Sequence, residues 1–258
     1  MKYIHRITLS LSLFIALPGL LFAQSDVEFP IYSITNVSIS AQDGRLLPGT
    51  MYRANSPGPA VLLFHQFGTG QRWDYERLAT MLTTHGFHVL AIDIRGHGDN
   101  SYEGSDDQVE GNKVIGDADV AFEWLVRQQG VVPNKIGTMG ASGSVGLAMH
   151  LAVTQPSIQA VVALSGHASQ EELQFLGSTN SPAIFGAGSL ADDMMVRFEG
   201  EFTKVTGAAV TGMMADRSSH PSSTHREFQD SGHGTDMFAR EPGLENDIVG
   251  WFVDVIGQ

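Results

Sequence analysis

Five short runs of this chain are almost unbroken in apolar and small residues: 60–64, 89–92, 136–139, 160–164 and 183–187. Continuous apolarity over so few positions suits strands buried on both faces of a parallel sheet, where alternation is lost. An earlier pair, 37–39 and 47–53, flanks Asp43-Gly44, a dipeptide that favours a hairpin turn. Between the runs the period changes. Leu78, Met81 and Leu82 share one helical face, as do Val120, Ala121, Trp124 and Leu125. A third stripe near the end places Leu244, Ile248, Trp251, Phe252 and Val255 at helical spacing. An antiparallel start followed by repeated strand–helix units predicts an α/β fold: a mostly parallel sheet flanked by helices.

The N-terminus breaks this rhythm. Lys2 and Arg6 precede an apolar run over 7–22, with Pro18 and Gly19 near its end and Ala23 before Gln24. A basic start, an apolar middle and a small-residue exit predict a secretory signal peptide over 1–23, cleaved near Ala23, and hence a secreted or periplasmic protein. The apolar stretch is shorter than the ~20 residues of a spanning helix. Residues 24–258 then read as a single domain, without repeats or a Pro/Ser-rich linker. Removing 1–23 leaves 13 basic against 28 acidic side chains, a net charge of -15. So acidic a surface argues against nucleic acid and anionic membranes as partners, and favours a self-repelling monomer or a dimer. With no cysteine among 258 residues, disulfides and thiolate catalysis are both excluded.

In a parallel sheet, ligands bind beyond the carboxyl ends of the strands, so the residues after each apolar run are the ones to inspect. After 60–64 comes His65-Gln66-Phe67-Gly68-Thr69-Gly70; after 89–92, Asp93-Ile94-Arg95-Gly96-His97-Gly98. After 136–139 comes Gly140-Ala141-Ser142-Gly143-Ser144, followed at once by a helix-forming run over 145–153. Small residues around a serine between strand and helix are what a nucleophile elbow needs to lift the hydroxyl above the sheet edge. Ser144 stands where a second glycine is usual. The run 183–187 leads to Asp192 and Asp193, and Phe228 leads to Ser231-Gly232-His233-Gly234. Ser, Asp and His thus fall at strand ends in the order of an α/β-hydrolase triad.

On these pieces the chain resembles the α/β-hydrolases, in particular the dienelactone-hydrolase-like and small serine esterase branches. The matching residues are His65-Gln66-x-Gly68, Asp93-x-Arg95-Gly96-His97-Gly98, Gly140-Ala141-Ser142, Asp192 and His233-Gly234, spread over 60–238. The resemblance implies a central eight-stranded sheet and acyl-transfer chemistry. Dienelactone hydrolases use a cysteine nucleophile, so a chain without cysteine can follow only the serine version.

The expected roles follow. Ser142 attacks the acyl carbon, His233 accepts its proton and returns it to the leaving group, and Asp192 holds the imidazole. The main-chain N–H groups of Phe67 and Gly143 bind the oxyanion, each worth ~3 kcal/mol of barrier. Ser144 is the alternative nucleophile and Asp193 the alternative acid, while the resemblance aligns Asp192. Arg95, His97 and His65 are read as loop braces. His167 follows 160–164 closely and is open to either a site-rim or a packing role. His220 and His225 lack a third ligand and a helical spacing, so no metal site is expected, and the Gly68 loop lacks a P-loop lysine, so no cofactor is. Only a short connection follows 160–164, which leaves no room for a large lid; residues 100–114 and 207–223 are the segments expected to cover the site. The expected function is a carboxylesterase cleaving small acyl esters. A peptidase, amidase, lactonase or perhydrolase on the same triad, or a binding protein on a hydrolase fold, are the alternatives.

Overall fold

A computed structural model describes residues 32–101, 111–198 and 200–257. The expected signal peptide and most of the 100–114 segment therefore lie outside the described residues.

The described residues open with an antiparallel pair, β1 (Ser33–Ser40) and β2 (Leu46–Arg53). The turn between them places Gly44 at φ +83°, a backbone that glycine adopts without steric cost. Then strands and helices alternate: β3 (Gly58–Phe64), α1 (Glu76–Thr84), β4 (His88–Ile92), α2 (Gly111–Val126), β5 (Val131–Ala141), α3 (Val145–Thr154). They are followed by β6 (Ile158–Leu164), α4 (Gln170–Leu176) and β7 (Ala183–Ser189). A separate hairpin, β8 (Asp193–Phe198) and β9 (Glu201–Thr206), precedes α5 (Gly207–Arg217) and β10 (Thr224–Phe228). Two helices close the fold, α6 (Met237–Arg240) and α7 (Leu244–Ile256).

Eight strands form one sheet in the order β1-β2-β4-β3-β5-β6-β7-β10. The β1–β2 and β2–β4 pairs are antiparallel and every pair from β4 to β10 is parallel. The expected mostly parallel sheet with helices on its faces is what is seen, and no large lid stands among the described residues. None of the described helices is long and apolar enough to cross a membrane.

The wholly apolar strands divide their side chains between two cores. Ala60, Leu62 and Phe64 of β3 pack with α2, α3 and α5, while Val61 and Leu63 pack with α1 and α7. Both layers are needed because a strand pleat sends successive side chains to opposite faces. Of the C-terminal stripe, Leu244, Ile248, Trp251 and Phe252 are buried against the second face.

Residues 207–223 do not cover the site, contrary to the sequence-based expectation. Their first eleven residues are α5, packed on β7 and β10 with Met214 buried in the core. Thr206 caps the helix by accepting the Ala209 N–H at 3.2 Å. The approach is close because it is glycine on glycine: a Cβ on Gly188 would collide with the Gly207 backbone.

Candidate active site

The expected triad, oxyanion-donor and loop-bracing residues lie at one edge of the sheet, the carboxyl ends of its parallel strands. The elbow is built first. β5 ends at Ala141, Ser142–Ser144 make a 3-10 turn, and α3 starts at Val145. Ser142 sits at φ +55°, a strained region for a residue with a Cβ, and is half-buried. The turn is tight enough that a Cβ on Gly140 would collide with the Ser144 carbonyl. Among the described residues the Ser142 side chain makes no hydrogen bond.

Ser144 lies differently. It is fully buried and donates its hydroxyl to the His65 carbonyl at 2.5 Å. A serine in place of the second elbow glycine thus ties the elbow to the loop that leaves β3, and its oxygen is turned away from solvent.

That loop is the second component. Phe67 lies against Gly143: its ring carbon stands 2.5 Å from where a Cβ on Gly143 would be. The loop is fixed at several points. Buried His65 donates Nδ1–H to the Gln66 carbonyl at 2.8 Å and accepts the Ile94 N–H on Nε2 at 3.0 Å. Both ring nitrogens are satisfied only in the neutral form, and burial pushes the pKa down to about 4. His97 accepts the Gly68 N–H at 2.8 Å and donates to the Arg95 carbonyl at 2.9 Å. Arg95 in turn grips Asp43 and Asp117. Buried Arg72, at the far end of the loop, pairs with buried Asp93, which also accepts the Arg72 N–H at 2.7 Å. Arg95, His97 and His65 therefore brace loops. The N–H of Gly143 opens the helical turn, where amides have no partner within the helix, and the Phe67 N–H donates to no other group among the described residues.

Asp192 and His233 form the third component. β7 and β10 run side by side, and their exits stay zipped: Leu190 N–H donates to the Phe228 carbonyl at 2.8 Å and Ala191 N–H to that of Gln229 at 3.1 Å. This brings His233 Nδ1 within 3.0 and 2.9 Å of the two Asp192 carboxylate oxygens. The aspartate side chain is 9% exposed and the histidine 37%. The hydrogen bond to Asp192 raises the His233 pKa, and partial burial opposes it. With Nδ1 engaged by the carboxylate, the neutral ring carries its lone pair on Nε2. Asp193 points elsewhere, pairing with Lys204 across the hairpin at 2.7 Å on the surface. His167 is half-buried, with Nδ1 3.3 Å from the Ala168 carbonyl. His225 lies on β10 and His220 in the turn before it. Among the described residues no three His, Asp or Glu side chains group to hold a metal ion.

Two features were not anticipated. The hairpin β8–β9 springs directly from the acid, its base closed by Gly207 N–H donating to the Asp192 carbonyl at 2.9 Å. The alternation of Met194, Val196 and then Thr203, Val205 was its sequence signal. The other is Gln66, whose side chain reaches the His233 loop; its place beside His65 in a glycine-rich loop was the only hint.

Fold and site define an α/β hydrolase. The chain matches the family described as serine aminopeptidase, S33, over residues 55–208, more than half its length, and belongs to that α/β-hydrolase family. The match takes in Phe67, Ser142, Gly143 and Asp192 and stops short of His233. Among solved structures, an esterase of Pyrococcus furiosus superposes with a TM-score of 0.65 at 17% identity, covering 88% of this chain and 92% of that one. A dienelactone hydrolase of Anabaena variabilis gives 0.61 at 19%, covering 87% and 99%. An uncharacterised protein of Mycobacterium tuberculosis is 35% identical over 123 residues, 47% of this chain and 42% of that one. A thiohydrolase of Aspergillus aculeatus is 29% identical over 140 residues, 54% and 43% of the two chains. The chain thus spans less than half the length of these curated relatives.

Proposed function

We propose that this protein is an exported serine hydrolase that cleaves small acyl esters through Ser142, His233 and Asp192. The observation that carries the reading is the pairing of His233 Nδ1 with both Asp192 oxygens, at 3.0 and 2.9 Å, at the sheet edge that also holds a serine at φ +55°. In this reading His233 Nε2 takes the Ser142 proton as Oγ bonds to the acyl carbon. The carbonyl electron pair moves onto oxygen, where the N–H groups of Phe67 and Gly143 receive it. Collapse of the tetrahedral intermediate breaks the bond to the alcohol, which leaves with the proton from His233. Water then repeats the sequence on the acyl-enzyme and releases the acid. Asp192 stays ionised throughout and stabilises the imidazolium.

No cofactor or metal takes part in this scheme. The acidic surface keeps the enzyme away from nucleic acid, the N-terminal segment exports it without membrane insertion, and it works as a monomer or dimer. A second reading has one specific support, the thiohydrolase among the relatives: a thioester in place of the oxygen ester. Matched acetyl, butyryl and decanoyl aryl esters, a butyryl thioester and an aminoacyl anilide separate the classes. The short oxygen esters are expected to give the highest kcat/KM. A higher value for the thioester moves the substrate class, and a higher value for the anilide makes the enzyme a peptidase.

A further inference from the structure

Gln66 lies between the three components of the site and belongs to none of the roles assigned so far. It is 6% exposed, and its backbone is held by the His65 ring on one side. Its side-chain oxygen accepts the Thr235 N–H at 3.0 Å, across 169 residues of sequence. Gly234, between Thr235 and His233, sits at φ +54° and so close that a Cβ there would collide with the same Gln66 oxygen. The same imagined Cβ would stand 3.5 Å from the Ala141 side chain, immediately before Ser142. Gly234 is therefore wedged between Gln66 and the elbow, and the amide oxygen marks where the wedge stops.

The other ties of the His233 loop run to the acid side, through Asp192 and through the Ser231 N–H bonded to Ser189 at 3.2 Å. Toward the rest of the molecule there are the Ser165 hydroxyl on the Met237 sulfur at 3.3 Å, a weak acceptor, and the Thr235 side chain hydrogen-bonded to the Asp74 carboxylate. The side-chain oxygen of Gln66 is the link that ties the base loop directly beside Phe67, one residue away. Distances at a proton-transfer site matter steeply, because a shift of about 1 Å can cost about a hundredfold in rate.

We propose that Gln66 is a positioning residue whose side-chain oxygen sets the base loop against the elbow and the Phe67 N–H, so that His233 and the oxyanion donors address one acyl group together. The proposal rests on the serine-hydrolase reading given above.

Two variants test it. Gln66→Met keeps the volume and removes the acceptor; Gln66→Glu keeps an acceptor and adds a negative charge beside the His233 loop. Each is assayed on a butyryl aryl ester, per active site titrated with a fluorophosphonate, across pH. The Thr235 amide and the His233 ring are followed by NMR in parallel. Gln66→Met is expected to lower kcat about tenfold to a hundredfold with KM within about twofold, and to move the Thr235 amide upfield. Gln66→Glu is expected to recover most of kcat while the acid limb of the profile moves to higher pH, since a nearby carboxylate favours the imidazolium. A merely structural glutamine gives a different pattern: both variants lose Tm and titratable sites, while kcat per site stays native. That pattern, or an unmoved Thr235 amide in Gln66→Met, overturns the proposal. Should Gln66→Met not fold, Gln66→Ala takes its place with the same kcat, KM and Thr235 amide readouts. If the native protein itself neither labels nor cleaves esters, the hydrolase reading falls, and the two NMR signals still decide whether the link exists.

Discussion

The two halves of the site are built to different standards of rigidity. On the nucleophile side, His65, Asp93 and Ser144 are fully buried, Arg72 nearly so, and each is satisfied by hydrogen bonds that join strand ends to one another. On the acid–base side, Asp192 opens into a surface hairpin carrying Met195 at 62% and Phe202 at 70% exposure, and the His233 ring is 37% exposed. The difference matches the two tasks that the proposed mechanism gives them. An attacking oxygen and its oxyanion donors gain from fixed positions, because preorganised dipoles need not rearrange during reaction. An imidazole that serves serine, leaving group and water in turn needs a hinge, held at Nδ1 and open at Nε2. Fixed amides beside a tethered but accessible ring are the design that the proposed mechanism uses.

The strongest way to break the comparison is to remove a group from each half. Ser142→Ala is expected to lower kcat by about 10⁴-fold or more at unchanged Tm, since the alanine keeps the turn and loses only the oxygen; esterase assay with thermal melting checks both. Asp192→Asn, on the other half, is expected to cost about 10³–10⁴-fold by releasing the correct tautomer.

The pH dependence of the native enzyme sharpens the same point. The proposed mechanism needs neutral His233, whose pKa lies above the ordinary 6.5 because the imidazolium gains the Asp192 bond. kcat/KM is therefore expected to rise with pH along an acid limb centred above 6.5, and residual activity of Asp192→Asn to show that limb at lower pH. The stability linkage has the opposite sense. Protonated His233 stabilises the fold below the unfolded pKa, and that contribution fades as pH rises through the folded one.

Ser144→Ala probes the rigid half alone. It leaves the buried His65 carbonyl without its donor, so a loss of about 1–3 kcal/mol in stability is expected, with about tenfold in kcat as the Phe67 loop loosens. Chemical denaturation and ester kinetics read the two effects. Smallest of all, Phe202→Ser on the outer face of the hairpin is expected to change stability by less than about 0.5 kcal/mol and leave short-ester kcat near native.

Much of this was legible before any coordinates. The runs at 60–64 and 160–164 suit strands buried on both sides, and they form the cores of β3 and β6. Ser142, Asp192 and His233 stood out because small residues and strand ends surround them. What the chain hid was mostly set by tertiary approach. Residues 207–217 contain two glycines, one threonine and little periodicity, which weakens the helical signal; packing against β7 through glycine contacts settles the helix. The hairpin buries only one face, chiefly Val196, and its alternation is too short to stand apart from the acid loop. The role of Ser144 was hidden for another reason: its acceptor, His65, is 79 residues away. The Gln66 bond spans further still.

The central claim is that Ser142 is the activated nucleophile. The most direct test is intact mass and peptide mapping after treatment of the folded protein with a fluorophosphonate, alongside Ser142→Ala. A single adduct is expected, carried on the peptide containing Ser142 and absent from the variant. An adduct on Ser144, or none on folded native protein, would contradict it.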